Sequence, residues 1–397
     1  MIANIVHISL NARGGGERLA VATIKAISSM GVDVELSTLE KPDTQLIHDA
    51  YGTSIDTDLK KIRTLNIFQK YRPRDYSLTV NTHGDMLPFY RNDFNNKNSI
   101  TYCHYPIATH LIDCGDPDYS ASLQNMCLLG MTQALHNRYH NTARSAYIKM
   151  MLNSTVLTNS DFSRKAILKS FGVNSAVLPP PVDVETFRNA CLISDVRDDS
   201  IVVISRIHPT KKIENVIHLA KLLHENELGT GMNVVGNMLP DGIGYLNYLN
   251  DLIEQYELED FVRFEINLRF DRLLDLMHRS KVYVHPLPGE PFGISTVEAM
   301  SAGIVPVVPD IGGHTEFVPA KYQFHTYGQG VEAVAAALAA PTSERIKLSH
   351  STQRYSVANY IKKFQQILTD ITDIGKKHLE AKPVITLSKR VPESMNA

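Results

Sequence analysis

GEPFGISTVEAM, residues 289–300, places two glutamates, Glu290 and Glu298, eight positions apart around Phe292-Gly293-Ile294. Upstream, Lys281-Val282-Tyr283-Val284-His285 reads as a strand, and Pro286-Leu287-Pro288-Gly289 ends it. Downstream, residues 294–302 read as a helix closed by Gly303. The stretch is thus a strand–loop–helix unit. Glu290 stands at the strand's C-terminal end, and Glu298 about one turn into the helix. Repeats of such a unit build parallel sheets covered by helices.

The pattern recurs in both directions along the chain. Strand candidates lie at 2–10, 33–38, 77–82, 99–104, 155–158 and 176–179, and again at 200–205, 232–236, 261–265, 281–285 and 303–308. Helical patterns lie between them, such as 213–223 with Ile213, Val216, Ile217 and Ala220 on one face. PPPVDVETF (179–187) interrupts the series, because three prolines continue neither a helix nor a central strand. The expected organisation is an α/β domain over 1–178, a second over 179–372 that includes closing helices at 343–372, and a tail over 373–397. Ligands of such sheets bind at the carboxyl ends of the strands, so the cleft between two facing halves is the expected site.

Composition narrows the function classes. Lys plus Arg total 40 against 42 Asp plus Glu, a net charge of −2. That balance argues against a general nucleic-acid binder. The four cysteines, Cys103, Cys114, Cys127 and Cys191, form no CxxC pair and no zinc spacing. No apolar run approaches the roughly 20 residues that span a bilayer, and the first residues lack a signal-peptide pattern. The expectation is a cytoplasmic protein. Lys60, Lys61, Arg63, Lys70, Arg72 and Arg74, with Phe68 and Tyr71, form a basic, aromatic set; His136, Arg138, Tyr139, His140, Arg144, Tyr147 and Lys149 form another. Such sets are commonly solvated helix faces, and also suit peripheral contact with an anionic membrane.

Four stretches carry chemistry. In the opening stretch, Gly293 lets backbone approach a ligand, and the N–H groups of a helix start attract an anion. Two carboxylates beside an anion site need neutral hydroxyls as partners. A sugar nucleotide supplies both: phosphates for the N–H groups, hydroxyls for Glu290 and Glu298. ISRIHPTKKIENVI (204–217) puts Arg206 and Lys211, or Lys212, just after a strand, where cations can neutralise a diphosphate. NARGGGERLA (11–20) is a glycine turn opening a helix, with Gly15 and Gly16 the choices for phosphate contact. It lacks the GxGxxG dinucleotide spacing. TYCHYPIA (101–108) puts His104 at a strand end facing the cleft, whereas His83 in NTHGD is read as structural or acceptor-facing. Each of these taken alone has a bland alternative, since isolated charges are mostly solvated and glycine is an ordinary turn residue.

Together they resemble one family. Residues 289–318, with the paired glutamates, Phe-Gly-Ile, a small-residue helix, Pro-Val-Val and Gly-Gly in order, resemble the donor-binding signature of glycosyltransferase family 4. The resemblance implies the GT-B fold, two Rossmann-like domains facing each other across a cleft. It implies that Glu298 binds the donor's ribose hydroxyls and Glu290 the transferred sugar. It also implies that the backbone of Phe292, Gly293 and Ile294 faces sugar and phosphate. Arg206 and Lys211 fall on the diphosphate; Ser205 and Lys212 stand where glycine and a small residue are often found. The Gly15-Gly16 loop would lie over the phosphates, with Gly16 where alanine is common. His-Tyr-Pro at 104–106 resembles the dolichol-linked oligosaccharide α-1,2-mannosyltransferases of that family, which assigns His104 to the donor sugar. The implied activity is retaining transfer of a sugar, with mannose and GDP-mannose favoured over a UDP-sugar. The acceptor is a glycan or polyprenyl-linked molecule, and neither a metal nor another cofactor is expected. A sugar-nucleotide epimerase of the same fold and a noncatalytic sugar-nucleotide binder are the rival readings.

Overall fold

The computed structural model describes residues 2–12, 14–65, 76–83, 98–106, 145, 148–191, 197–238 and 240–371. Among these, two parallel sheets form. The first contains β1 (Ile2–Val6), β2 (Asp33–Thr38), β3 (Lys61–Thr64), β4 (Leu78–Asn81), β5 (Ser99–Tyr102), β6 (Thr155–Thr158) and β7 (Ala176–Val177), in the order β3-β2-β1-β4-β5-β6-β7. The second contains β8 (Asp198–Ile204), β9 (Gly231–Gly236), β10 (Val262–Ile266), β11 (Ser280–Val284), β12 (Val305–Pro309) and β13 (Gln323–Phe324), in the order β10-β9-β8-β11-β12-β13.

The near-continuous apolar strands follow from burial on both faces. In β8, Ile201 and Val203 pack with helix Glu214–Glu225 on one face, while Val202 joins Phe187, Tyr283 and Ala299 on the other. In each sheet the order reverses beside the first strand, between β1 and β4 and between β8 and β11. Diverging connections at such a switch point leave a crevice at the carboxyl ends. β1 leads into the glycine turn and β4 into Thr82-His83. β8 leads into Ser205-Arg206 and β11 into the 285–294 loop.

The proline stretch is the crossing between the halves, and a second crossing lies beside it. Val182 N–H donates to the Tyr355 carbonyl at 2.9 Å, and Val182 pairs with Ser356 in an isolated parallel bridge. The expected boundary at residue 372 is corrected here. Helix Thr342–Ser351 packs on the second half, but helix Val357–Ile371 returns to the first. Its Tyr360, Phe364 and Leu368 are buried in the core of the first sheet, and Tyr360 OH shares a hydrogen bond with Thr23 Oγ1 at 2.8 Å. An amphipathic helix buries its apolar stripe wherever a matching face exists, and helix Gly15–Ser28 supplies one.

The described part of the basic set is largely neutralised at the sheet edge. Lys60 Nζ lies 2.6 Å from Asp33 Oδ2, and Arg63 Nε 2.7 Å from Glu35 Oε2. Lys149 is exposed, and Cys103 is buried. Phe68, Lys70, Tyr71, Arg72, Arg74, Cys114, Cys127, the set from His136 to Arg144, Tyr147 and the tail 373–397 lie outside the described residues. Among the described residues no helix is long and apolar enough to cross a membrane.

Candidate active site

Between the two switch points lies a cavity of about 590 Å³. Gly15, Gly16, His104, Arg206, Lys211, Glu290, Phe292, Gly293, Ile294 and Glu298 all line it; Lys212 and His83 do not.

The first half contributes the start of helix Gly15–Ser28. Glu17 reaches back to the N-cap, its Oε2 accepting the Gly14 N–H at 2.8 Å, and Oε1 lies 3.5 Å from His7 Nε2. Burial raises the Glu17 pKa, but contacts with His7 and the loop N–H groups outweigh it and leave the group below its ordinary range. The first N–H groups of any helix lack intrahelical partners, which suits the turn to an anion. Gly15 faces the other half: a Cβ there would stand 2.2 Å from Ile294 Cδ1, so the end of that side chain would have to turn aside. Gly16 has room, since its nearest neighbour would be His104 Nε2 at 3.7 Å.

His104 Nε2 lies 3.0 Å from the Thr82 carbonyl oxygen. A carbonyl only accepts, so Nε2 carries the proton. Burial pushes the His104 pKa down to about 4, so the ring is neutral near pH 7 and Nδ1 remains an acceptor. Burial, with His7 and His104 nearby, lowers His83 to about 3.

The second half contributes the charges. Arg206 follows β8, is exposed, and makes no ion pair among the described residues. Lys211 ends the 3₁₀ turn Pro209–Lys211, and its Nζ lies 3.3 Å from Glu290 Oε2. Lys212 caps that turn in the left-handed region at φ 51° with its side chain exposed. The cation facing the cavity is therefore Lys211. Burial alone would raise Glu290, but Lys211 and then His285 hold it well below the usual carboxylate range. His285 Nε2 is 3.5 Å from the same oxygen, and its Nδ1 meets Tyr283 OH at 2.7 Å. Tyr283 OH in turn meets Ser295 Oγ at 2.8 Å.

Gly293 is the N-cap of helix Ile294–Ser301 at φ 93°, where an added Cβ would meet Thr296 Oγ1 at 2.9 Å. Phe292 is 4% exposed and packs with Val182, Val184, Val297 and Tyr355 beside the crossings. It offers the cavity backbone only. Glu298 is desolvated, which raises its pKa; Arg18 opposes the rise and Asp183 adds to it. Among the described residues no group of three or more His, Cys, Asp or Glu side chains is placed to hold a metal ion.

The sequence patterns left several lining side chains unassigned, among them the ionisable Glu17, Arg18 and His285. The positional signals were available. Glu17 and Arg18 follow the glycine turn directly, and His285 is the first residue after β11.

Comparisons with known proteins bear on the fold and the family resemblance. Residues 191–357 match the family model described as glycosyl transferases group 1. A Dictyostelium discoideum protein named GDP-Man:Man(3)GlcNAc(2)-PP-Dol alpha-1,2-mannosyltransferase is 26% identical over 215 residues, 49% of this chain and 42% of that one. The chain spans about half the length of the curated relatives it matches. Among solved structures, Anabaena HepE in complex with UDP superposes with a TM-score of 0.65 at 16% identity, covering 93% of this chain and 100% of that one. A Rickettsia africae glycosyltransferase gives 0.61 at 14%, covering 93% and 98%. Over residues 191–357 the chain therefore resembles the glycosyl transferases group 1, and its two facing parallel sheets have the GT-B fold.

Proposed function

We propose that the protein is a retaining glycosyltransferase. It moves mannose from GDP-mannose to a hydroxyl of a glycan or polyprenyl-linked acceptor, without a metal. One observation carries this reading: two cations, two carboxylates and a glycine turn from facing halves converge on one cavity at both switch points. GDP-mannose is favoured over a UDP-sugar because a curated relative bears that donor in its name. A polyprenyl-linked acceptor would bring the site to the cytoplasmic face of a membrane as a peripheral protein.

The reaction breaks the bond between the anomeric carbon and the β-phosphate oxygen. The acceptor oxygen bonds that carbon on the same face, and the released phosphate takes the acceptor's proton. Arg206, Lys211 and the turn N–H groups stabilise charge building on the diphosphate. Glu298 accepts hydrogen bonds from the ribose, Glu290 from the sugar, and His104 accepts one through Nδ1. Apposition of the halves excludes water from the reacting centre.

The test is purified protein warmed with GDP-mannose, UDP-glucose and ADP-glucose, followed by product analysis with an acceptor. Selective stabilisation by GDP-mannose, about 2.7 kcal/mol at a hundredfold over Kd, together with transfer, is expected. Isomerised donor without acceptor supports an epimerase instead. Binding with neither transfer nor hydrolysis supports the noncatalytic reading, and no donor binding removes the proposal.

A further inference from the structure

Helix Gly15–Ser28 carries one more cation into the cavity than sequence reading assigned. Arg18 Nη1 lies 3.4 Å from Glu298 Oε1, reaching from one half to the other. The two side chains are 19% and 15% exposed, and Nη1 is buried with no hydrogen-bond partner. The contact is therefore an attraction without a satisfied donor. An N–H that is buried, charged and unbonded is costly unless a stronger acceptor arrives.

The charge balance of the cavity shows what that acceptor is. Arg18, Arg206 and Lys211 line it, opposed by Glu17, Glu290 and Glu298. As it stands the cavity is neutral, with Lys211 engaged by Glu290 and Arg18 by Glu298. A diphosphate brings further negative charge into this space. Arg206 meets it directly, but Lys211 and Arg18 become available only if their pairs with Glu290 and Glu298 come apart. The hydroxyls of a sugar nucleotide do this, because they satisfy Glu290 and Glu298 without charge and release both cations.

We propose that Arg18 is a donor-binding residue supplied by the first half, which pairs with Glu298 across the cleft and passes to the donor's diphosphate when the ribose occupies Glu298. This rests on the reading under Proposed function. Its place in the chain fits the role, two residues after Gly16 in the first turn of the helix. The guanidinium also lies 5.6 Å from the centre of the Tyr51 ring, and Tyr51 OH donates to the Gly14 carbonyl at 3.0 Å. Arg18 and the glycine turn are thus braced by one tyrosine of their own half. Arg18 then makes donor affinity depend on both halves, through phosphate rather than base.

The test compares wild type, Arg18→Ala and Arg18→Gln in calorimetric or NMR titrations with GDP and with guanosine; UDP and ADP are run alongside with their nucleosides. Circular dichroism and Tm establish folding. Both variants are expected to bind the diphosphate about ten- to a hundredfold more weakly, with the nucleoside bound as well as before or better, since Glu298 is released. Three outcomes overturn the proposal: undiminished diphosphate affinity in Arg18→Ala, parallel loss of nucleoside and diphosphate affinity, or full retention in Arg18→Gln, which would make the side chain a packing element. Failure of wild type to bind any of the three diphosphates instead removes the underlying functional reading.

Discussion

Replacing Lys211 by alanine, with Lys212→Ala as its neighbour control, separates a working cation from a solvated one. Lys211 Nζ is 3.3 Å from Glu290 Oε2, with side chains 26% and 15% exposed. Two losses follow. Removing one preformed donor aimed at developing charge costs about 3–4 kcal/mol in the transition state, or roughly 10²–10³ in kcat. Removing one partner of a fully buried pair costs about 3–5 kcal/mol of stability. Here the lysine end is partly in water, and His285 remains 3.5 Å from the same carboxylate oxygen. The stability loss is therefore discounted to about 1–2 kcal/mol, a fall of a few degrees in Tm. Lys212 is exposed at the end of the turn, so Lys212→Ala should leave kcat within about twofold and stability within about 0.5 kcal/mol. The assay is nucleoside diphosphate release at saturating donor and acceptor, with Tm measured on the same preparations. Equal losses for the two variants, or Lys211→Ala within threefold of wild type, would refute the assignment.

Other perturbations test other parts of the site. Glu298→Ala should lower kcat/KM for the donor by about ten- to a hundredfold with an unchanged circular dichroism spectrum; wild-type kinetics would remove Glu298 from the donor site. Gly313→Ala puts a Cβ 2.0 Å from the Pro291 carbonyl oxygen and 2.9 Å from Ser160 Oγ, and should cost about 1–3 kcal/mol by overpacking. Gly16→Ala meets nothing closer than 3.7 Å and should be neutral or stabilising by up to about 1 kcal/mol; urea midpoints compare the two. Stability should also fall as pH drops from about 6.5, the ordinary histidine value, toward 4. His83 is held at about 3, and His104 and His314 at about 4, chiefly by burial. In that window the unfolded chain binds protons that the folded chain refuses, so stability rises with pH there, by about 1.4 kcal/mol per unit for each imidazole. His104→Gln should flatten the Tm-versus-pH profile by one such increment, and an unchanged slope would mean that His104 titrates normally.

The strand–loop–helix units were legible because strands buried on both faces read as apolar runs closed by glycine and proline. The 285–294 loop was legible for the same reason: Glu290, Gly293 and Glu298 sit at fixed offsets within one such unit. β3 escaped detection because Lys61-Ile62-Arg63-Thr64 is a charged edge strand; Arg63, and Lys60 just before the strand, pair with Glu35 and Asp33 on strand β2. Periodicity shows which face of helix Val357–Ile371 is apolar but not which half will cover it. Lys211 and Lys212 could not be separated from sequence, since the answer lies in the direction each side chain takes from a single 3₁₀ turn. The Arg18–Glu298 pair joins residues 280 positions apart. No local pattern encodes such a contact, because it arises only when the two sheets face one another.

The central claim is most directly tested by a crystal structure of the protein with GDP-mannose. The diphosphate should lie within hydrogen-bonding distance of Arg206 and Lys211 and over the Gly15-Gly16 turn, with the ribose hydroxyls on Glu298 and the sugar against Glu290. A donor seated elsewhere, or a diphosphate turned to solvent with Arg206 and Lys211 untouched, would contradict it.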